Sequence, residues 1–171
     1  MLPQLDVKVA KKAILEGFRK TDELLLQESV SGNLCVFVAN IGDAKAVLAR
    51  SSNTNELGSH TETCIPLKAI VLTREHKAIY PQERSRIQKF GVTATPDIHA
   101  FELTERENFM ILGCDGLWEV FGPSDAVGFV QKLLKEGLPV SVISRRLVKE
   151  AVKERRCKDN CTAIVIVFKR G

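Results

Sequence analysis

The 171-residue sequence lacks any apolar run close to the roughly 20 residues that a membrane-spanning helix requires. Its first residues, Met1 to Asp6, also lack the charged and then apolar pattern of a targeting signal. The expectation is therefore a soluble protein without membrane attachment, located inside the cell in the cytoplasm, the nucleus or both.

A strong excess of positive charge is missing as well. Lysine and arginine number 25 against 21 acidic residues, which gives a net charge of only +4. Proteins that bind nucleic acid usually carry a larger or more clustered positive charge. The most basic stretch, Lys149 to Lys158, is typical of the solvated face of an amphipathic helix and the loop after it. No nucleic-acid partner is predicted.

Cysteine is scarce and odd in number, and no secretory signal accompanies it. The five residues are Cys35, Cys64, Cys114, Cys157 and Cys161. This usage indicates reduced intracellular thiols rather than a disulfide framework. Cys157 and Cys161 lie four residues apart, but no second pair and no nearby histidine completes the four ligands of a structural zinc site. Zinc is therefore not predicted.

The apolar pattern predicts a single domain over residues 1–171 with a sizeable core. Helical periodicity predicts helices over about 6–27, 81–89, 124–134 and 141–155, with Ser124 as a cap. Strands are predicted over 33–39, 45–50, 68–73, 101–104, 108–113 and 162–168, the first two as an antiparallel hairpin. Strands and helices occur in blocks without strict alternation, which favours an α+β fold of mainly antiparallel sheets flanked by helices.

Two acids stand next to apolar strands. Asp115 follows the strand at 109–114 and precedes Gly116, while Asp159 precedes the final strand. Carboxylate oxygens are hard ligands that suit Mg²⁺ or Mn²⁺. An isolated Asp-Gly pair is more often an ordinary turn in which aspartate bonds its own backbone. Only the combination of the two acids makes them a candidate metal site.

An ordered series of segments then resembles one protein family. The segments are ANIGDAKAVLAR at 39–50, LTREHK at 72–77, ERSRIQK at 83–89, TATPDI at 93–98, CDGLWEVF at 114–121 and KDNCTAIVIV at 158–167. Their order and spacing resemble the metal-dependent type 2C protein serine/threonine phosphatases, most of all the plant members. The resemblance implies a partial antiparallel β-sandwich flanked by helices.

The same resemblance implies a site and a chemistry. It implies a binuclear Mg²⁺ or Mn²⁺ centre, with Asp115 and Asp159 as metal ligands, and hydrolysis of phosphoserine and phosphothreonine without a phosphoenzyme. The implied partners are phosphorylated proteins or kinases, in a signalling role, and the chain is expected to be a monomer. No catalytic residue beyond these metal ligands is assigned.

The sequence also departs from the family pattern. It contains no Asp-Gly-His-Gly-Gly element, which supplies a metal aspartate in the family. It passes directly from Gly32 to Asn33 and from Lys89 to Phe90, where the family has further strands and another acid. We therefore expect weak metal binding and little or no turnover in this shortened chain. The alternative is a non-catalytic phosphatase-like module that binds a kinase or a phosphoprotein.

Overall fold

A computed structural model describes residues 34–52, 66–77, 79–90 and 96–169, together with Glu16, Arg19 and Lys20. The chain divides into two compact units, Met1–Cys35 and Val36–Gly171. Most of the helix predicted over 6–27 lies outside the described residues, although Glu16, Arg19 and Lys20 are helical. The single domain over 1–171 stays a prediction.

Six strands and four α-helices occupy the described ranges. The strands are β1 (Cys35–Asn40), β2 (Lys45–Ser51), β3 (Leu67–Val71), β4 (Asp97–Glu102), β5 (Glu107–Gly113) and β6 (Ala163–Val167). The helices are α1 (Pro81–Phe90), α2 (Asp115–Val120), α3 (Pro123–Lys135) and α4 (Val140–Lys149), the last running into a π-helical turn at Glu150–Glu154. None of the helices in these ranges is both long and apolar enough to cross a membrane.

The larger sheet has the order β3-β2-β5-β6, and each neighbouring pair is antiparallel. Val47 of β2 pairs with Val71 of β3 on one side and with Ile111 of β5 on the other. At the far edge, Gly113 of β5 pairs with Ala163 of β6. The ends of β5 and β6 that flank Asp115 and Asp159 are therefore neighbours.

The predicted hairpin between the first two strands is wrong, although the strand positions are nearly right. β1 pairs with β4 in a separate two-stranded sheet, and β2 pairs with β3 and β5. The reason is the burial of β2, in which all four residues from Ala46 to Ala49 are buried. A strand buried on both faces belongs in the middle of a sheet, and its two edges are already occupied here.

Alternation along β2 and β5 divides the core into two layers. Val47 and Ile111 point to one face, which the helices cover through residues such as Leu117, Val130 and Leu147. The second layer lies on the opposite face and packs against Val38 of β1 and Phe101 of β4. It consists of Ala46, Leu48, Leu72 and Met110. The predicted α+β fold with antiparallel sheets in a sandwich and flanking helices is thus confirmed.

The helix predicted with Ser124 as its cap begins at Pro123, and its cap lies two residues before the predicted one. Its cap is Gly122, with Pro123 in the first turn, and no side chain bonds the free amides there. Proline suits this position because its missing N–H would have no partner within the helix and its φ already matches the helix. Ser124 is therefore a helical residue and not the cap.

The buried acid Glu107 links β5 to β2 through Arg50, at the end of the strand pair farther from Asp115. The Glu107 side chain is fully buried, and its Oε1 accepts a hydrogen bond from Nε of Arg50 at 2.6 Å. Its Oε2 accepts hydrogen bonds from the amide and the hydroxyl of Thr104, both at 2.6 Å. Burial opposes the charged form, but the bonds from Thr104 and the guanidinium of Arg50 outweigh it and hold the pKa of Glu107 below its ordinary value.

We predict that Glu107→Gln lowers the free energy of unfolding by about 1–3 kcal/mol at neutral pH, because Arg50 loses its buried charged partner. A lowered folded-state pKa stabilises the protein above the ordinary carboxyl pKa of 4.5 and loses that effect as the pH falls through the folded value. The difference between wild type and variant should therefore shrink below about pH 4.5. Urea denaturation at neutral and acidic pH measures it, with the exposed Glu102→Gln as control; an equal difference at both pH values would contradict the prediction.

Candidate functional site

Asp115 lies at the first position of helix α2, directly after β5. The preceding residue, Cys114, is the helix cap and has an extended backbone with φ −74° and ψ 174°. Sequence analysis predicted no helix between residues 114 and 124 and therefore missed this short one. The Asp115 side chain is half-buried, and its Oδ1 accepts a hydrogen bond from the Gly116 amide at 2.9 Å.

Asp159 lies in the connection between the π-helical turn and β6. The chain leaves that turn at Arg156, a non-glycine residue with φ of 58° in the left-handed region. Such a conformation costs roughly 1–2 kcal/mol and redirects the backbone sharply. Asp159 is exposed, and its Oδ1 accepts a hydrogen bond from the Asn160 amide at 2.6 Å. In both acids, one carboxylate oxygen is thus hydrogen-bonded to the backbone amide of the next residue.

The two acid-bearing segments are in direct contact through Gly116. A Cβ atom at Gly116 would overlap the backbone carbonyl oxygen of Asn160 and would lie 3.3 Å from Cβ of Asp159. Only glycine allows the backbones to approach this closely. The neighbouring Cys114 amide also donates to the carbonyl of Thr162 at 3.3 Å, which continues the β5–β6 pairing into the site. The structure therefore brings the segments of Asp115 and Asp159 together.

Trp118 anchors the start of α2 to the sheet. Its indole Nε1 donates to the carbonyl of Gly113 at 3.0 Å and to the carbonyl of Lys45 at 3.1 Å. The side chain is only 8% exposed. These bonds hold the helix against the ends of β5 and β2, which fixes Asp115 at the edge of the sheet.

Three thiols surround the contact between the two acid-bearing segments. The Cys157 sulfur lies 3.1 Å from the carbonyl oxygen of Gly116 and 3.3 Å from that of Asp159, so its one proton can be donated to either. The Cys114 thiol donates to the carbonyl of Asn160 at 3.1 Å. Burial raises the pKa of Cys161 to about 11, with further contributions from the neighbouring Cys157 and Cys114 thiols. Sequence reasoning considered Cys157 and Cys161 only as zinc ligands and missed these contacts; their positions on either side of Asp159 were the available signal.

The donors of Asp115 and Asp159 suit a hard divalent cation, although they do not form a complete protein cage. Within the described residues, each carboxylate receives a hydrogen bond only from the next amide, so its Oδ2 has no protein donor there. Mg²⁺ is often bound through one or two carboxylates while it keeps several waters. Across the same ranges, no group of three or more histidine, cysteine, aspartate or glutamate side chains is arranged to hold a metal ion. The site as described therefore offers two carboxylates and no third acid.

We predict that Gly116→Ala destabilises the protein by about 1–3 kcal/mol, since the added methyl group forces the backbone of Asn160 away. Helix propensity alone would favour alanine by about 1 kcal/mol. The matched control is Gly128→Ala in α3, where a Cβ would meet nothing within 4 Å. That variant should be stabilised by about 0.5–1 kcal/mol. Thermal or urea unfolding measures both, and a stabilised Gly116→Ala would refute the close contact.

Comparison with known proteins identifies a family and two similar plant sequences. The model of the family described as Protein phosphatase 2C matches residues 24–92 and 88–161. The chain is 74% identical to Probable protein phosphatase 2C 8 of Arabidopsis thaliana and 54% identical to Probable protein phosphatase 2C 67 of Oryza sativa subsp. japonica. These alignments cover 97% and 96% of the chain but only 59% and 56% of the relatives. The predicted likeness to plant members is confirmed.

The matches also bear on the predicted internal gaps. The alignment with the Arabidopsis relative runs over 208 positions, which is more than the 171 residues of the chain. The relative therefore has internal residues that this chain lacks. The two segments matched by the family model meet at residues 88–92, which include the predicted join between Lys89 and Phe90.

Solved structures of two other proteins share the fold. A serine-threonine phosphatase 2C from Toxoplasma gondii matches with a TM-score of 0.63 at 20% identity, over 79% of this chain and 55% of that one. A C. elegans sex determining protein matches with a TM-score of 0.61 at 16% identity, over 86% and 44%. At this identity the likeness concerns the fold alone.

Proposed function

Since the chain belongs to the protein phosphatase 2C family, we propose that it is a Mg²⁺- or Mn²⁺-dependent protein serine/threonine phosphatase domain of low activity. The observation that carries the proposal is the contact of Gly116 with Asn160 and Asp159, which joins the segments of Asp115 and Asp159. The family match includes both acids. The substrates would be phosphoserine and phosphothreonine in proteins, and the reaction would be hydrolysis.

Asp115 and Asp159 are the residues that would hold the divalent cation in this proposal. When bound, such cations lower the pKa of a water molecule and offset negative charge on phosphoryl oxygens. The protein positions the two carboxylates. The Gly116 amide bonds one oxygen of Asp115 and the Asn160 amide bonds one oxygen of Asp159, and within the described residues the second oxygen of each has no protein donor. The buried Trp118 keeps the start of α2 against the sheet, so that Asp115 is held at a fixed place.

Low activity follows from the small number of ligands. Affinity for a hard cation depends on the number and the charge of its oxygen ligands. The described residues bring the segments of two aspartates into contact, and they contain no group of three or more histidine, cysteine, aspartate or glutamate side chains arranged to hold a metal ion. This chain also lacks internal residues that the Arabidopsis relative has. In this proposal their loss removes part of the sandwich on which a complete site would be built.

The same observations favour a second candidate function, a non-catalytic module. A domain that keeps the fold but too few metal ligands could still bind phosphorylated proteins or a kinase through its surface. One relative, at 29% identity in Bos taurus, is named Integrin-linked kinase-associated serine/threonine phosphatase 2C, which supports a kinase as the kind of partner.

The four cysteines within the described residues are all free, which supports an intracellular location.

We predict that the purified chain releases phosphate slowly from a phosphothreonine peptide in the presence of Mn²⁺, and that Asp115→Asn abolishes the release. The amide removes a negative charge and a metal-binding oxygen while keeping the shape of the side chain. A colorimetric phosphate assay with and without chelator measures the rate. The matched control is Glu119→Gln, which removes an exposed acid from the same helix and should leave the rate unchanged.

The outcomes separate the two candidate functions. Release that depends on Mn²⁺ and is lost in Asp115→Asn supports the enzyme. Binding of the phosphopeptide without any release, measured by fluorescence anisotropy, supports the non-catalytic module. Release that is equal in wild type and Asp115→Asn would contradict the assignment of Asp115.

A further inference from the structure

We propose that two copies of this chain pair through the free edges of their β6 strands, antiparallel to each other about a two-fold axis at Val165. The larger sheet then continues from one copy into the other. This dimer differs from the monomer that the sequence analysis predicts. It does not depend on the proposed phosphatase activity.

One edge of β6 has no neighbouring strand within the described residues. In the sheet order β3-β2-β5-β6, β6 is the last strand, and its described partner is β5. An edge strand presents a row of unpaired amides and carbonyls, which is a template for another strand. Addition of a strand to such an edge is a common mode of recognition, in which backbone hydrogen bonds supply affinity. β6 is therefore a place where the sheet can be extended.

The hydrogen bonds between β5 and β6 show which backbone groups face the free edge. The Cys114 amide donates to the carbonyl of Thr162 at 3.3 Å. At the other end, the Phe168 amide donates to the carbonyl of Asn108 at 3.0 Å. In antiparallel strands, residues that bond the neighbouring strand alternate with residues that do not. The even-numbered residues over 162–168 thus face β5. The odd-numbered residues of the strand face the free edge, and these are Ala163, Val165 and Val167.

A two-fold axis at Val165 satisfies all of these edge groups together. Val165 then pairs with Val165 of the second copy, and Ala163 of each copy pairs with Val167 of the other. The residues of each pair exchange both of their hydrogen bonds, because their amides and carbonyls face the shared edge. A shift of the register by two residues leaves Ala163 or Val167 without a partner inside the strand. Since each copy uses the same edge, the assembly closes as a dimer.

The same register brings exposed isoleucines together. Ile164 and Ile166 are 52% and 37% exposed, and they share one face of β6 because they are two residues apart. In the dimer, Ile164 of each copy stands opposite Ile166 of the other in a pair without backbone bonds, where side chains approach most closely. Cross-strand pairs of β-branched side chains stabilise a sheet. The pairing therefore shields both isoleucines of each copy from water.

Charge does not oppose the pairing of β6 with itself. The strand reads AIVIV and has no charged residue. Just beyond its end, Lys169 lies opposite the segment of the second copy that holds Lys158 and Asp159, whose charges cancel. The other edge of the same sheet differs, because β3 carries the exposed Lys68, and lysine on an edge strand hinders pairing. β6 is therefore the edge of this sheet that suits a second copy.

Sedimentation velocity on the full chain over a series of protein concentrations tests the association. It should find a species of twice the 19.0 kDa mass of one chain, whose fraction grows with concentration. Assemblies larger than a dimer should not form, since the pairing uses one edge of each copy. A chain that stays a monomer throughout the series, or that forms only larger aggregates, would overturn the proposal.

Two double variants test the register. Ile164→Lys with Ile166→Lys places like charges opposite each other across the dimer, whereas Ile164→Lys with Ile166→Glu places opposite charges there. Both remove the same two exposed isoleucines, so each is the matched control of the other. The lysine–glutamate variant should self-associate about tenfold more tightly than the lysine–lysine variant. Equal association of the two would contradict the pairing of position 164 with position 166.

Amide hydrogen exchange on the wild type locates the interface without any substitution. The amides of Ala163, Val165 and Val167 should exchange at least about tenfold more slowly at high protein concentration than at low concentration. The amides of β3, at the other edge of the sheet, serve as the internal control and should not change. Association that leaves the exchange at the three β6 amides unchanged would show that the copies meet elsewhere and would overturn the proposal.

Discussion

The close approach of the Gly116 backbone to the carbonyl of Asn160 is the contact on which the candidate site depends. The antiparallel pairing of β5 with β6 brings two chain segments to the same edge of the sheet, and after Gly113 and Ala163 it continues with one backbone hydrogen bond from Cys114 to Thr162. Beyond that bond, the backbones of the two segments can stay in contact because position 116 has no side chain. Asp115 lies immediately before this glycine, and Asp159 immediately before Asn160. The geometry of the acids is therefore a consequence of backbone packing.

The packed core holds the strands on either side of this contact in place. Alternate residues of β2 and β5 face the helices on one side and the small β1–β4 sheet on the other. The second face is covered only in part, because Ile164 and Ile166 of the edge strand β6 remain 52% and 37% exposed. One face of the strand beside Asp159 is thus only partly covered, and stability of the site depends on the helix-facing layer and on the indole bonds of Trp118.

Sequence patterns predicted the parts of the fold that depend on local composition. The apolar run at 108–113 and the proline at position 81 placed β5 and α1 almost correctly. The partner of β1 could not be predicted in this way, because pairing is decided by which strand is buried on both faces, a property of the whole sheet. Strand-end positions and the family resemblance pointed to Asp115 and Asp159, whose role as metal ligands stays a prediction. The short helix α2 and the thiol contacts were missed because they depend on how two distant segments meet.

The central claim is that Asp115 and Asp159 act on the same divalent cation. Isothermal titration with Mn²⁺ on the wild type, Asp115→Asn, Asp159→Asn and the double variant tests it as a double-mutant cycle. A shared cation predicts that each single variant binds Mn²⁺ more weakly and that the double variant loses clearly less free energy than the sum of the two single losses. Losses that simply add, or a single variant that binds as tightly as the wild type, would contradict the account.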